Sequence, residues 1–374
     1  MTSKTTGDVM LAVKGLRVVF HTYAGEVKAL DGVDLEVRKG EILGLVGESG
    51  SGKSVTALSI ENLLPPNAEV VEGEVLLDGV DLLKVKRKDL NYYRLKKIAM
   101  VFQDPSTYLN PVLTVGSQIT EIMEGAPQLF TADMVESRLE DLRRLKAAGT
   151  ITPKQEEELV RLSALPKDAK LSGREFDRLA KLHALDILRQ VRLPEPERIF
   201  RSFPFELSGG MRQRAMIAMA LLRKPEVFLA DEITTAVDVT VQAQILKLLL
   251  ELKHEIDASI ILITHDLAVV AEVCDRVAVM YAGSIVEVAE VGELFSNPLH
   301  PYTKGLLASI PRPDSAGSGL KSIPGMVPNL IFPPTGCRFH PRCAFSFEEC
   351  PKVKPPLTEV SKGHFVACLL FGSE

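Results

Sequence analysis

The sequence predicts an α/β protein in which a mostly parallel sheet is covered by helices. Short apolar runs with the composition of buried strands alternate with helical stretches, which is the pattern of parallel sheets. One such run leads into a glycine-rich loop, and a helical pattern follows that loop directly. The strand-like runs beyond the loop lie at residues 98–102, 227–230, 260–264 and 277–281.

The beginning of the chain favours strands. Segments at 11–20, 30–37 and 41–46 have β-type composition and are separated by turns, one of them at Gly25. The helical pattern at 53–64 is expected to stop before Pro65, because proline cannot continue a helix. This region therefore predicts a unit of strand, glycine loop and helix.

Composition excludes several classes of function. The chain has 374 residues, of which 46% are hydrophobic and 25% charged, and this allows one large domain with an appendage. A formal net charge of -5 gives no general attraction to nucleic acid or anionic lipid. No apolar stretch approaches the ~20 residues that cross a bilayer. The N-terminus lacks the apolar middle of a secretory signal, so we expect a cytosolic chain without disulfides.

Two segments depart from the α/β pattern. Residues from about 124 to 182 are rich in Glu, Arg, Lys, Leu and Ala, with leucines at helical spacing, and predict a charged, all-helical insert. An exposed helical hairpin is the simple interpretation of this insert, and a specific docking role is the alternative. The proline-rich stretch from Pro298 to Pro334 predicts a segment that wraps around its neighbours, with a boundary near residue 290.

The glycine-rich loop predicts a phosphate-binding site. Residues 47–54 fit G-x-x-x-x-G-K-[ST] between a strand and a helix. The backbone N–H groups of such a loop surround the β-phosphate, Lys53 reaches the β- and γ-phosphates, and the Ser54 hydroxyl can ligate Mg²⁺. The predicted nucleotide contacts are Gly47, Ser49, Gly50, Ser51, Gly52, Lys53, Ser54 and Val55.

Two adjacent carboxylates follow the apolar run at 227–230. We expect Asp231 to position Mg²⁺ through its water shell and Glu232 to polarise the attacking water as general base. The alternative, a solvated strand end, is disfavoured by the phosphate loop earlier in the chain. Hydrolysis of ATP or GTP is therefore the reaction that the residues predict.

The segment Leu207-Ser208-Gly209-Gly210-Met211-Arg212-Gln213-Arg214 resembles the signature motif of ABC ATPases. Ser208 can cap the helix that follows, and the N–H groups of Gly209 and Gly210 can point at an anion. The resemblance implies a P-loop NTPase core with an antiparallel β subdomain and a helical subdomain. It also implies that this helix end faces the γ-phosphate bound on a partner ATPase.

Further motifs follow in the order of that family. Gln103 is similar to the glutamine of the loop that contacts Mg²⁺ and the attacking water, and Asp238 is similar to the aspartate of the loop at the dimer interface. His265 resembles the switch histidine that contacts the γ-phosphate. Tyr23 is the candidate for the aromatic ring that stacks on adenine, with Phe20 as the competitor.

Three more segments resemble the ATP-binding subunits of oligopeptide and dipeptide importers. They lie at residues 104–111, 238–244 and 297–303. Two residues depart from the family pattern, namely Ile233, where proline is usual, and Val237, where leucine is usual. The resemblance implies a nucleotide-binding domain at 1–290, whose helical subdomain covers about 104–222, and a C-terminal extension at 291–374.

The resemblance also implies partners and location. We expect a peripheral protein at the cytoplasmic face of the membrane, bound to two transmembrane permeases and a second, homologous or identical, ATPase. An extracytoplasmic binding protein would deliver the substrate, and no nucleic-acid partner is expected. Related importers move nickel or oligosaccharides, and soluble ABC ATPases that act on nucleic acid or ribosomes remain the rival class.

Four cysteines crowd into the C-terminal extension, namely Cys337, Cys343, Cys350 and Cys368, while Cys274 stands apart as an expected small buried hydrophobe. The spacing C-x5-C-x6-C-x17-C leaves zinc, an iron–sulfur cluster and free thiols open. The resemblance to peptide-importer extensions favours a [4Fe-4S] cluster, with zinc as the alternative. His340 and His364 are possible substitute ligands.

Overall fold

The computed structural model describes residues 8–166, 169–235, 238–256, 258–310 and 323–372. The chain divides into two compact units. The first unit comprises Met1–Met100, Glu226–Ile233 and Leu249–Glu374, and the second comprises Val101–Pro225 and Thr234–Leu248. Among the described residues, no helix combines the length and the apolar character needed to cross a bilayer.

A four-stranded antiparallel sheet opens the first unit. It contains β1 (Val9–Thr22), β2 (Gly25–Arg38), β4 (Ala68–Leu77) and β5 (Val80–Asp81), in the order β2-β1-β4-β5. Leu11, Val13 and Val18 point into the core, and charged residues alternate with apolar ones along β2, as expected when one face of a sheet is buried. Neither β4 nor β5 was predicted from the sequence, because β4 contains three glutamates and β5 has only two residues.

The central sheet has eight strands in the order β11-β12-β10-β9-β3-β8-β7-β6. In chain order they are β3 (Ile42–Val46), β6 (Ile98–Val101), β7 (Val227–Asp231), β8 (Ser259–Thr264), β9 (Arg276–Tyr281), β10 (Ser284–Glu290), β11 (Thr358–Ser361) and β12 (His364–Val366). β3 pairs in parallel with β8 and β9, and β7 pairs in parallel with β8. Every residue of β3, β7, β8 and β9 is buried, as in sheets covered on both faces.

One edge of this sheet is antiparallel, whereas its central strands are parallel as predicted. β10 is antiparallel to β9 and β12, and β12 is antiparallel to β11. The turn between β9 and β10 is tight because Ala282 and Gly283 have φ values of 47° and 83°, which a two-residue hairpin turn requires. Residues 358–366 of the C-terminal extension thus join the sheet as two short strands that the sequence did not predict.

The first unit contains α1 (Lys53–Ile60), α2 (Arg87–Tyr92), α11 (Leu267–Val273), α12 (Val291–Ser296) and α13 (Pro301–Ala308). α1 is shorter than the predicted 53–64. Asn62 has a φ of 54°, and a residue in this left-handed conformation ends a helix before the prolines are reached.

The second unit is helical. Its helices are α3 (Pro105–Tyr108), α4 (Val115–Glu124), α5 (Pro127–Ala147), α6 (Pro153–Ser163), α7 (Gly173–Gln190), α8 (Pro196–Arg201) and α9 (Gly209–Leu221), and α10 (Val239–Ile256) begins in this unit. α5, α6 and most of α7 occupy the segment that predicted a helical insert. Their charges pair across helices, since Glu158 accepts hydrogen bonds from Arg138 at 3.0 Å and from Arg178 at 2.7 Å.

Candidate active site

The phosphate loop joins the end of β3 to the start of α1. Gly52 has a φ of 108°, and a Cβ there would lie 2.8 Å from Leu30 Cδ2. A Cβ on Gly47 would lie 2.1 Å from the carbonyl oxygen of Met280. Both positions therefore require glycine, because any Cβ there would clash with its neighbours. The two glycines allow the loop to turn sharply against β9.

Lys53 is buried in this loop. Its Nζ donates hydrogen bonds to the carbonyl oxygens of Gly47 at 2.8 Å and Glu48 at 3.0 Å. Burial lowers the pKa of Lys53, and the charges of Glu232, Asp231 and Glu48 offset part of that effect. The ammonium group is thus held at the loop by carbonyl oxygens and by nearby carboxylates.

Asp231 lies at the end of β7 and is buried. Burial raises the pKa of Asp231, a hydrogen bond from the Ser54 side chain lowers it, and the charge of Glu232 raises it further. Asp231 Oδ1 is buried without a hydrogen-bond partner among the described residues. Mg²⁺ prefers oxygen ligands, such as carboxylate and hydroxyl groups. A buried carboxylate oxygen without a hydrogen-bond partner is therefore a candidate ligand for this ion. Ser54 and Asp231 therefore fit Mg²⁺.

Glu232 follows Asp231 in an uncommon backbone conformation. Its φ is 48°, and its N–H donates to the carbonyl of Ile263 at 2.9 Å. Its Oε2 lies 3.5 Å from His265 Nδ1. Residues held in the left-handed region cluster at functional sites, where the surrounding structure offsets the strain. The ends of β7 and β8 thus bring Glu232 and His265 together, at the positions where the sequence predicted them.

Asp266 shapes the turn that follows His265, a role that was not predicted from the sequence. The Asp266 N–H donates to Thr264 Oγ1 at 3.0 Å, and Asp266 Oδ1 accepts from the N–H of Ala268 at 2.9 Å. The residue therefore caps the N-terminus of α11. The signal was available, because an aspartate before an apolar helical run is a helix-start pattern.

The signature segment lies in the second unit. Ser208 caps α9 by accepting a hydrogen bond from the N–H of Met211 at 3.3 Å, as the sequence predicted. Gly209 is the first residue of that helix. A Cβ on Gly210 would lie 2.5 Å from Val241 Cγ1, so the glycine allows α9 to approach α10 closely.

Asp238 and Gln103 also belong to the second unit. Asp238 Oδ1 accepts from the N–H of Val241 at 2.9 Å at the start of α10. Ala236 and Val237, which complete that predicted loop, lie outside the described residues. Gln103 is exposed, two residues beyond the end of β6.

Tyr23 lies in the turn between β1 and β2, and its side chain is fully exposed. Phe20, its competitor as the adenine-stacking residue, is partly buried and packs against the hydrophobic core. Val55 also packs against that core, so a contact between Val55 and nucleotide would use its backbone. Ser49 and Gly50 are exposed at the tip of the loop, and Ser51 is buried.

The four C-terminal cysteines line one small cavity together with His300, Phe339 and His340. Burial raises the pKa of Cys337 to about 11, and it also raises the pKa values of Cys343 and Cys368. The donors are of the right kind, but the described residues contain no group of three or more His, Cys, Asp or Glu side chains arranged to hold a metal ion. The geometry therefore does not support a metal or iron–sulfur site as it stands.

His364, a possible substitute ligand in the sequence, and Cys274, the isolated cysteine, both lie outside the cysteine cavity. His364 does not line the cysteine cavity, because its Nε2 hydrogen-bonds Glu287 at 2.8 Å. Cys274 is buried at the end of α11, with its Sγ 3.0 Å from the position of a Cβ on Gly44. Cys274 is thus a small buried residue, as predicted.

Comparisons with known proteins agree with this fold. A family model described as ABC transporter matches residues 30–235, and one described as the C-terminal region of oligopeptide/dipeptide transporters matches residues 286–350. A probable peptide ABC transporter ATP-binding protein of Sinorhizobium fredii is 44% identical, covering 98% of this chain and 97% of its own length. An oligopeptide transport ATP-binding protein of Bacillus subtilis is 45% identical, covering 96% of this chain and 87% of its own.

Solved structures match as well. A dimeric ABC transporter cassette, described as bacterial, has a TM-score of 0.56 and 26% identity, and the match covers 75% of this chain and 99% of that one. A cassette in a post-hydrolysis state, bound to ADP and Pi, has a TM-score of 0.56 and 25% identity over the same shares. This chain therefore belongs to the ABC transporter family of ATPases, and it carries the C-terminal region of the oligopeptide/dipeptide transporters.

Proposed function

We propose that this chain hydrolyses ATP to energise the import of oligopeptides or dipeptides through an ABC transporter. The proposal is based on similarity to proteins named for peptide, oligopeptide and dipeptide transport. These proteins are 42% to 45% identical to this chain over almost its full length. That similarity includes the C-terminal region at 286–350, which lies outside the nucleotide-binding motifs.

The first unit supplies the chemistry in this proposal. Glu232 polarises the attacking water as general base, and Lys53 stabilises the charge that develops on the transferring phosphoryl group. His265, 3.5 Å from Glu232, contacts the γ-phosphate and keeps the base oriented. Ser54 and Asp231 would hold Mg²⁺, which would supply positive charge to stabilise the phosphates of ATP.

The second unit supplies the residues that complete a neighbouring subunit's site. Ser208, Gly209 and Gly210 present the N-terminus of α9 to the γ-phosphate bound by the partner ATPase, because helix N-termini attract anions. Asp238 lies at the dimer interface, and Gln103 reports the state of the nucleotide to the permeases. Tyr23 stacks on adenine. Each ATP is then enclosed by two subunits, and hydrolysis reopens the dimer.

The partners in this proposal are two permeases, a second ATPase and an extracytoplasmic binding protein, with the chain at the cytoplasmic face of the membrane. A tagged chain extracted from its own membranes in mild detergent tests this directly. We expect mass spectrometry to identify two polytopic permeases and a binding protein, and purified binding protein to bind peptides.

Other outcomes would change the proposal in defined ways. A binding protein that selects nickel or oligosaccharides would replace the peptide substrate and keep the importer. Recovery of ribosomal or DNA-associated proteins without permeases would contradict the importer and leave only ATP hydrolysis.

The cysteine site belongs to the proposal as a hypothesis. Four thiolates from Cys337, Cys343, Cys350 and Cys368 would hold a [4Fe-4S] cluster, or zinc, that cross-links the C-terminal extension. Since metal-bound thiols are deprotonated, binding at neutral pH would release protons from Cys337, Cys343 and Cys368, whose pKa values burial has raised.

Elemental analysis tests whether the cluster is present. Protein prepared without oxygen is expected to contain iron and acid-labile sulfide, both lost in a Cys337→Ser variant and retained in the matched control Cys274→Ser. Zinc without sulfide would select the alternative, and absence of all three would leave the four residues as free thiols.

A further inference from the structure

The C-terminal extension contacts the phosphate loop directly. Arg342 Nη1 donates to Glu48 Oε2 at 2.7 Å, and Nη2 donates to Glu48 Oε1 at 3.1 Å. This is a two-pronged arginine–carboxylate pair, the geometry that fixes both position and orientation. The side chain of Arg342 is 6% exposed and that of Glu48 is 27% exposed, so water screens the pair only in part.

The guanidinium group of Arg342 is itself held from several sides. Its Nε donates to the carbonyl of Pro324 at 2.9 Å, and its planar group lies 5.7 Å from the ring centre of Tyr281. Arg342 also ends the short 3-10 turn His340–Arg342, immediately before Cys343. The arginine is therefore a fixed point of the extension rather than a mobile surface cation.

A second residue of the extension holds the backbone of the same loop position. The hydroxyl of Tyr302 accepts a hydrogen bond from the N–H of Glu48 at 2.9 Å. Tyr302 is fully buried and lies 4.6 Å from the ring of Tyr281 and 5.4 Å from the ring of Phe339, measured between ring centres. Backbone and side chain of Glu48 are thus both fixed by residues of the C-terminal region.

Glu48 in turn shapes the part of the loop that surrounds the phosphates. Its carbonyl oxygen accepts hydrogen bonds from Lys53 Nζ at 3.0 Å and from the N–H of Ser51 at 3.2 Å. A carboxylate at this place would repel a bound triphosphate if no cation neutralised it. Arg342 supplies that cation and turns the carboxylate toward the extension.

We propose that Arg342 is a positioning residue for ATP binding, which neutralises Glu48 and holds the phosphate loop in its binding conformation. The proposal rests on the proposed function, because it takes residues 47–54 as the ATP phosphate site. It gives the C-terminal extension a direct part in nucleotide binding and connects the turn between Cys337 and Cys343 to that site.

A double-mutant cycle with Arg342→Gln and Glu48→Gln tests the proposal, with KM for ATP and kcat measured on the assembled transporter. Arg342→Gln is expected to raise KM about tenfold or more, which corresponds to about 1.4 kcal/mol, with a smaller change in kcat. Removing the carboxylate as well is expected to restore much of the affinity, since the uncompensated charge is gone. Rescue of this kind distinguishes charge neutralisation from a general loss of packing.

Two further variants keep the test decisive. Lys352→Gln removes an exposed ion pair with Glu348 in the same extension and is expected to leave KM unchanged. Arg342→Lys keeps the charge and loses the two-pronged contact with Glu48, so it is expected to raise KM above the wild-type value but less than tenfold. This variant supplies the test on its own if Arg342→Gln does not fold.

The results that would overturn the proposal differ from those that would overturn the function. An unchanged KM in Arg342→Lys and Arg342→Gln, or a raised KM that Glu48→Gln does not lower, would contradict the role of Arg342. A wild-type transporter that neither binds nor hydrolyses ATP would instead contradict the proposed function.

Discussion

Replacement of Glu232 by Gln is expected to reduce ATP turnover by about 100-fold or more, the usual contribution of a general base. Glutamine keeps the size of the side chain but cannot accept the proton of the attacking water. ATP binding should persist, because Lys53, Ser54 and Asp231 are unchanged. Phosphate release measures the turnover, and size-exclusion chromatography with ATP and Mg²⁺ measures the closed dimer that should accumulate.

Glu74→Gln is the matched control for this experiment. It makes the same chemical change at an exposed carboxylate that pairs with Lys84 at 2.9 Å, and turnover should stay at the wild-type level. Full turnover in Glu232→Gln would show that another group activates the water.

Replacement of Glu287 by Ala is expected to give the largest loss of stability. Glu287 is fully buried and accepts hydrogen bonds from the N–H groups of Leu299 at 2.7 Å and His300 at 2.9 Å, and from His364 Nε2 at 2.8 Å. Alanine would leave these three donors without that partner. Breaking a buried pair by removing one member costs about 3–5 kcal/mol, so the melting temperature should fall by several degrees.

Differential scanning calorimetry measures that shift, and Glu290→Ala serves as the control. Glu290 lies on the same strand but is exposed, so its replacement should change the melting temperature little. Equal shifts in the two variants would mean that Glu287 does not join β10 to the extension in the way its contacts indicate.

The parts of the site that could be predicted from the sequence are local. The phosphate loop, Asp231, Glu232 and His265 each follow a short apolar run that the structure shows as a buried strand. Carboxyl ends of parallel strands meet at one edge of a sheet, so the predicted strands were enough to bring these residues to the same edge. The capping role of Ser208 could also be predicted from nearby residues, because a helix cap depends on three or four adjacent residues.

The parts that could not be predicted depend on long-range pairing. Glu48 and Arg342 are 294 residues apart in the chain, and neither residue type nor spacing connects them. β12 pairs with β10, but it is only three residues long, too short for an alternating pattern to identify it as a strand. β4 was not predicted because its glutamates, which face away from the core, obscure the alternation of apolar and polar residues that indicates a half-buried strand.

The position of β3 also affects how the chain is made. β3, which leads into the phosphate loop, lies between β8 and β9, and both neighbours are synthesised long after it. A ribosome adding residues from the N-terminus therefore releases a very apolar strand well before the strands that cover its two edges. Until residue 281 emerges, the two edges of that strand lack their final partners, and unpaired edges of apolar strands favour aggregation. The helical second unit lies entirely within this interval of the chain, so it is synthesised before β3 gains its neighbours.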